Sequence, residues 1–129
     1  MERIYLDSSF IIALQVNSHE FNQKAQNILN RLTKNTLFYY SYLTINECAF
    51  TLIKYKADKK KVVQLLIELV SKPQFYLVNT NSDAEELIKY LSIWEITSLK
   101  PRDAIHYFYM QQNNIAPAGY CKRLSSQAR

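Results

Sequence analysis

The hydrophobic positions of the chain form short runs that alternate with longer amphipathic segments. Three runs have the length and the β-branched or aromatic content of strands, at residues 4–6, 37–40 and 75–78. Between them, apolar residues recur at the spacing of helices, with two helical segments in each interval. Strands that alternate with helices, with few hairpin signals, predict a parallel sheet covered on both faces.

Local residue chemistry predicts where the helices begin. Asn17 or Ser18 is predicted to open the second helix, Asp58 the fourth, and Pro101 suits the first turn of the last one. In the helix opened by residues 82–85, four apolar positions are predicted to face the core: Ala84, Leu87, Ile88 and Leu91.

The composition indicates one globular domain over residues 1–129. Hydrophobic residues make up 48% of the chain and charged residues 21%, as in folded proteins. No apolar run reaches the ~18 residues of a membrane span, and no signal peptide is recognisable, so we expect a cytoplasmic protein without a membrane partner. The net charge of +5 mildly favours a polyanionic partner.

Cysteine and histidine are too scattered to indicate a zinc site. The two cysteines and two histidines, at positions 48, 121, 19 and 106, lack the paired spacing of zinc ligands. Cys48 is better interpreted as a small buried hydrophobic residue.

Three acids stand near predicted element ends. Asp7 ends the first strand and is followed by two serines, a placement that core packing explains poorly. Taken alone, Glu47 matches a capping box with Thr44, in which the carboxylate accepts from a backbone N–H at a helix start. Asp103, in the first turn of a helix, would complement the helix dipole.

Taken together, the same three acids suggest a metal site. Asp7, Glu47 and Asp103 all lie where they can reach one edge of a parallel sheet. Carboxylates brought together repel one another unless a cation lies between them, and at least one of them would then have a raised pKa without metal. Oxygen ligands of this kind suit Mg²⁺ or Mn²⁺, which keep several of their waters.

The three acids lie in three short motifs: Tyr5-Leu6-Asp7-Ser8-Ser9, Ser41-x-x-Thr44-x-x-Glu47 and Leu99-x-Pro101-x-Asp103-Ala104-Ile105-His106. Together these motifs resemble the PIN-domain nucleases, many of which are VapC-type toxins of toxin–antitoxin pairs, and the resemblance covers residues 3–115. It implies a PIN-like three-layer α/β/α domain with a central parallel sheet of four to five strands. It also implies a Mg²⁺- or Mn²⁺-dependent endoribonuclease that hydrolyses phosphodiester bonds of single-stranded or structured RNA, a homodimer and a small antitoxin partner.

The resemblance assigns metal binding and catalysis to the three acids. Ser8 and Ser9 would donate a hydrogen bond to a metal-bound water or a phosphate oxygen, although both also suit a helix cap. Arg102 would contact the RNA backbone or simply be a solvated surface charge. His106 is interpreted as a partly buried structural histidine.

The C-terminal segment departs from the family pattern. PIN domains usually carry a fourth acid after the last core strand, whereas no acid follows Asp103 in this chain and Lys122 stands in the corresponding stretch. We expect residues 116–129 to be an atypical, loosely packed segment, with weak metal binding and slow cleavage as consequences. The alternative function is a catalytically degenerate PIN-like module that binds RNA or a protein partner.

Overall fold

The computed structural model describes residues 2–31, 35–56, 58–78 and 83–115 of the chain. In this part, three parallel strands pair in the order β1 (Glu2–Tyr5), β2 (Thr36–Tyr40) and β3 (Phe75–Leu77). The helices of the same part are α1 (Ser8–Gln15), α2 (Asn22–Arg31), α3 (Tyr42–Lys56), α4 (Lys59–Val70), α5 (Ala84–Ile96) and α6 (Pro101–Gln112). The predicted α/β class and parallel sheet are confirmed.

Alternation along the strands distributes side chains to the two faces of the sheet. Ile4 pairs in register with Phe38, and both are buried in the main core, together with residues of α1, α3 and α4. Tyr5 points to the opposite face, where it packs with Val78 and with Met110 of α6. Because successive side chains of a strand point to opposite faces, this arrangement gives three layers.

The sheet is smaller than predicted within the described residues, with three strands rather than four to five. Ile115 is buried but belongs to no strand, and it directly follows the turn at the end of α6. Its N–H donates to the Met110 carbonyl at 2.9 Å, and the preceding Asn114 has a left-handed backbone with φ of 56°. Residues 116–129 lie outside the described part.

Most helix starts follow the predicted chemistry. Asp58 and Asp83 cap α4 and α5, and Pro101 is the first residue of α6. The prediction for the second helix was wrong, because α2 begins at Asn22 rather than at Asn17 or Ser18. The side-chain amide of Asn22 donates to the carbonyl of Ala13 at 2.8 Å, so a contact with the end of α1 fixes the start of α2.

The predicted inward face of α5 was also wrong. Leu87, Ile88 and Leu91 are 56%, 62% and 43% exposed, and no residue of α5 is buried in the described structure. The helix packs on α6 through part of its circumference and leaves most of its apolar residues exposed. Among the described residues, no helix combines the length and hydropathy that crossing a membrane requires.

Candidate active site at the carboxyl end of the sheet

Asp7 lies just beyond β1 and is the N-cap of α1. It has an extended backbone, and its Oδ1 accepts from the N–H of Phe10 at 3.2 Å. The hydroxyl of Ser9 donates to Oδ2 at 3.0 Å. Asp7 is only 5% exposed, and Ser8 is half-buried as the first residue of α1. The predicted position of the acid at a strand end is confirmed, and Ser9 orients its carboxylate.

Glu47 does not cap α3. The helix begins at Tyr42, and the cap consists of Ser41 and Thr44, whose side chains accept from each other's backbone N–H at 3.1 and 3.2 Å. The capping-box interpretation of Glu47 is therefore wrong, because the helix starts one turn earlier than the sequence suggested. Glu47 falls in the second turn of α3, where its side chain is free to reach another element.

That element is α6, through one residue of its first turn and one of its second. Nε2 of His106 lies 2.9 Å from Oε1 of Glu47, and Nη1 of Arg102 lies 3.2 Å from Oε2. Burial raises the pKa of Glu47, but hydrogen bonds and charge from His106 and Arg102 outweigh it and bring the pKa below its usual value. For Glu47, the direction is opposite to that expected of a carboxylate crowded by other carboxylates.

Asp103 lies between the two residues of α6 that contact Glu47. It is half-buried in the first turn of that helix, where a negative charge is favoured by the dipole. Asp7 approaches the same region from β1. The hydroxyl of Thr44 donates to the carbonyl of Leu6, next to Asp7, at 3.2 Å. Burial raises the pKa of the Cys48 thiol, and the negative charges of Glu47 and Asp7 raise it further, so both acids lie near this thiol. The structure thus brings the elements that carry the three acids to one end of the sheet.

The three carboxylates have the donor chemistry of a Mg²⁺ or Mn²⁺ site, but they do not form a ready-made one. Within residues 2–31, 35–56, 58–78 and 83–115, no group of three or more His, Cys, Asp or Glu side chains is arranged to hold a metal. Oε2 of Glu47 is engaged by Arg102, whose side chain is 70% exposed and has room to leave.

Tyr5 was not predicted to belong to the site, and His106 was predicted to be only a structural histidine. Tyr5 is fully buried, and its hydroxyl lies 2.6 Å from Nδ1 of His106 and 2.8 Å from Oγ of Ser41. A signal was present in the sequence, because a tyrosine in a buried strand must find a partner for its hydroxyl. The identity of that partner depended on α6, about a hundred residues away.

Comparison with known proteins identifies the family. The PIN domain profile matches residues 4–118 of the chain. No curated protein matches the sequence significantly. Among solved structures, the chain is similar to VapC20 of Mycobacterium tuberculosis, a sarcin-ricin loop cleaving toxin, with a TM-score of 0.65 and 17% identity over 87% of this chain and 84% of that one. At this identity the likeness shows the fold, and together with the profile match over nearly the whole length it establishes that the chain belongs to the PIN domain family.

Proposed function

We propose that this PIN domain is a metal-dependent endoribonuclease that acts in the cytoplasm as the toxin of a toxin–antitoxin pair. One observation carries the proposal: Asp7 follows β1 at the end of the sheet, and Glu47 on α3 contacts Arg102 and His106, which flank Asp103 in the sequence of α6. A structural salt bridge alone would not require a buried acid at a strand end. The similarity to VapC20, a sarcin-ricin loop cleaving toxin, supports RNA as the substrate class.

Asp7, Oε2 of Glu47 and Asp103 would hold Mg²⁺ or Mn²⁺. Such an ion supplies an activated water and stabilises charge on the attacked phosphate. The lowered pKa of Glu47 keeps its carboxylate ionised at neutral pH, as an oxygen ligand requires, and one of the three carboxylates would orient the attacking water. Ser9 keeps the carboxylate of Asp7 in one orientation.

Arg102 has a second role in this proposal. Its guanidinium neutralises Glu47 in the metal-free protein and, once it leaves Oε2, is exposed enough to bind a phosphate oxygen of RNA. Single-stranded or looped RNA suits the site better than a regular duplex, because its backbone can bend toward a carboxylate at the end of a sheet.

A homodimer is the partner arrangement that the α5 surface supports. We define the α5 surface by its five exposed apolar residues: Leu87, Ile88, Leu91, Trp94 and Ile96. Beside it, a groove of about 470 Å³ runs between α5 and α6. An apolar patch of this kind is typical of an association site, and a second copy would cover it. A small antitoxin that blocks the acidic site is a further proposed partner.

The alternative function is a non-catalytic module that binds RNA or protein. It is favoured by one observation, the engagement of both Glu47 oxygens by His106 and Arg102. Metal dependence separates the two functions. The enzyme is expected to cleave RNA with Mn²⁺ and not with EDTA, whereas a binding module would retain the same RNA affinity in both conditions and cleave in neither.

A further inference from the structure

The side chains behind Glu47 form a buried polar chain that packing does not require. Tyr5 is 0% exposed and His106 is 2% exposed, although both carry polar atoms. Buried polar atoms are costly unless they are hydrogen-bonded, so their partners are specified by the fold. Nδ1 of His106 meets the Tyr5 hydroxyl at 2.6 Å, and Nε2 meets Oε1 of Glu47 at 2.9 Å. The imidazole therefore connects β1 to the carboxylate of α3.

This series of hydrogen-bonded side chains is fixed at its far end by the cap of α3. The Tyr5 hydroxyl lies 2.8 Å from Oγ of Ser41, and Thr44, which shares that cap, donates to the carbonyl of Leu6. Tyr5 and His106 also meet edge to face, with ring centroids 5.3 Å apart. The imidazole thus has little freedom to turn.

The position of one proton follows from the acceptor. A carboxylate only accepts hydrogen bonds, so Nε2 of His106 must carry the hydrogen directed at Glu47. The single hydrogen of the Tyr5 hydroxyl is directed either at Oγ of Ser41, with Nδ1 donating to the phenol oxygen, or at Nδ1. In both arrangements the bond to Glu47 is the same.

The two oxygens of Glu47 are held in different ways. Oε1 is bonded by the imidazole of His106, whose side chain is 3% exposed, while Oε2 is bonded by Arg102, whose side chain is 70% exposed. Long exposed side chains exchange partners easily, whereas buried rings do not. One oxygen is therefore anchored and the other is exchangeable.

We propose that Tyr5 and His106 are positioning residues. They fix the Glu47 carboxylate through Oε1 and so hold Oε2 toward the partner that can exchange, which is Arg102 in this structure. Outer partners of this kind orient a ligand oxygen and restrict its rotamers. The consequence for cleavage rests on the proposed function, but the arrangement itself exists in the metal-free protein and is tested there.

The first test is long-range ¹H–¹⁵N NMR of the metal-free protein, with His106 assigned from the His106→Gln spectrum. We expect Nε2 of His106 to be protonated, and Tyr5→Phe to shift its Nδ1 resonance. Tyr76→Phe, on an exposed tyrosine of β3, is the matched control and should leave that resonance unchanged. An unprotonated Nε2, or an Nδ1 resonance indifferent to Tyr5→Phe, would overturn the proposal whether or not the protein cleaves RNA.

The second test compares His106→Gln, which keeps an N–H donor near the position of Nε2, with His106→Leu, which has none. Calorimetry measures the Mn²⁺ affinity, an RNA cleavage assay measures kcat and KM, and thermal melting shows whether each variant is folded. We expect His106→Leu to lose about 10–100-fold in Mn²⁺ affinity and kcat, with KM little changed, and His106→Gln to recover a large part. Equal values for the two folded variants would overturn the proposal. If the wild-type protein binds Mn²⁺ but does not cleave RNA, the proposed function is refuted and the positioning role of His106 is still decided by the Mn²⁺ affinities.

Discussion

Glu47 of α3 and His106 of α6 are joined by a 2.9 Å contact across 59 residues of sequence, and this contact defines the site. It turns a residue that looks locally like a helix cap into a carboxylate held in place at the end of the sheet. It also places α6, with Asp103 in its first turn, against α3.

The Glu47 contacts predict a dependence of stability on pH. Because the folded pKa of Glu47 lies below its unfolded value near 4.5, its ionised form stabilises the fold above that value, and this stabilisation is lost as the pH falls through the folded pKa. Urea unfolding in EDTA at about pH 6 and about pH 3 should show a smaller loss for Glu47→Gln than for wild type. Equal losses would mean that the ion pairs are absent in solution.

Cys48 is predicted to be unreactive in the folded protein. Its thiol is fully buried, and burial together with the nearby negative charges raises its pKa, so little thiolate is present at neutral pH. In a Cys121→Ser background, a disulfide reagent should label Cys48 only as fast as the protein opens, and at once in denaturant. Rapid labelling under native conditions would contradict the packing around α3.

Adjacent residues of α3 are predicted to differ strongly in their contribution to stability. Leu52 is fully buried, and Leu52→Ala should lower the free energy of unfolding by about 2–5 kcal/mol. Ile53 is 42% exposed, and Ile53→Ala should cost about 1 kcal/mol or less. Urea denaturation measures both free energies of unfolding. Similar costs at the two positions would contradict the burial of the Leu52 face of α3.

The α5 surface is predicted to associate with a second copy. Light scattering should give twice the monomer mass, and Ile88→Glu should shift it toward the monomer. Ile67→Glu, on an α4 residue that is similarly exposed, is the control and should not. Trp94, the one tryptophan of the sequence, lies on this surface, so its emission should move to shorter wavelength on association. A monomer at all concentrations would contradict the prediction.

The C-terminal segment carries a prediction from the sequence alone, because residues 116–129 lie outside the described part. If this stretch corresponds to the acidic segment of other PIN domains, Lys122→Asp should strengthen Mn²⁺ binding measured by calorimetry. Unchanged binding would show that the correspondence is wrong.

Features set by neighbouring residues could be predicted from the sequence, whereas features set by distant contacts could not. Asp58, Asp83 and Pro101 act within one helical turn, so their positions at helix starts followed from local chemistry. The start of α2 at Asn22 depends on carbonyls of α1, and the role of Glu47 depends on α6. A sequence pattern contains no information on which of two distant helices a carboxylate will meet.

The prediction of a buried face on α5 was wrong for a different reason. Apolar periodicity at Leu87, Ile88 and Leu91 identifies a face that avoids water, but it does not say whether the chain itself or a partner covers that face. The periodicity identified an apolar face, and the error lay in assigning that face to the core of this domain.

RNA cleavage by Asp7→Asn and Asp58→Asn, each compared with wild type in Mn²⁺ and in EDTA, tests the central claim most directly. Both residues are helix N-caps and asparagine also caps, so both variants should fold, but only Asp7 lies at the proposed site. We predict Mn²⁺-dependent cleavage by wild type and Asp58→Asn, and a loss of about 100-fold or more for Asp7→Asn. Equal cleavage by the two variants, or cleavage by wild type that persists in EDTA, would contradict a metal-dependent site built on Asp7.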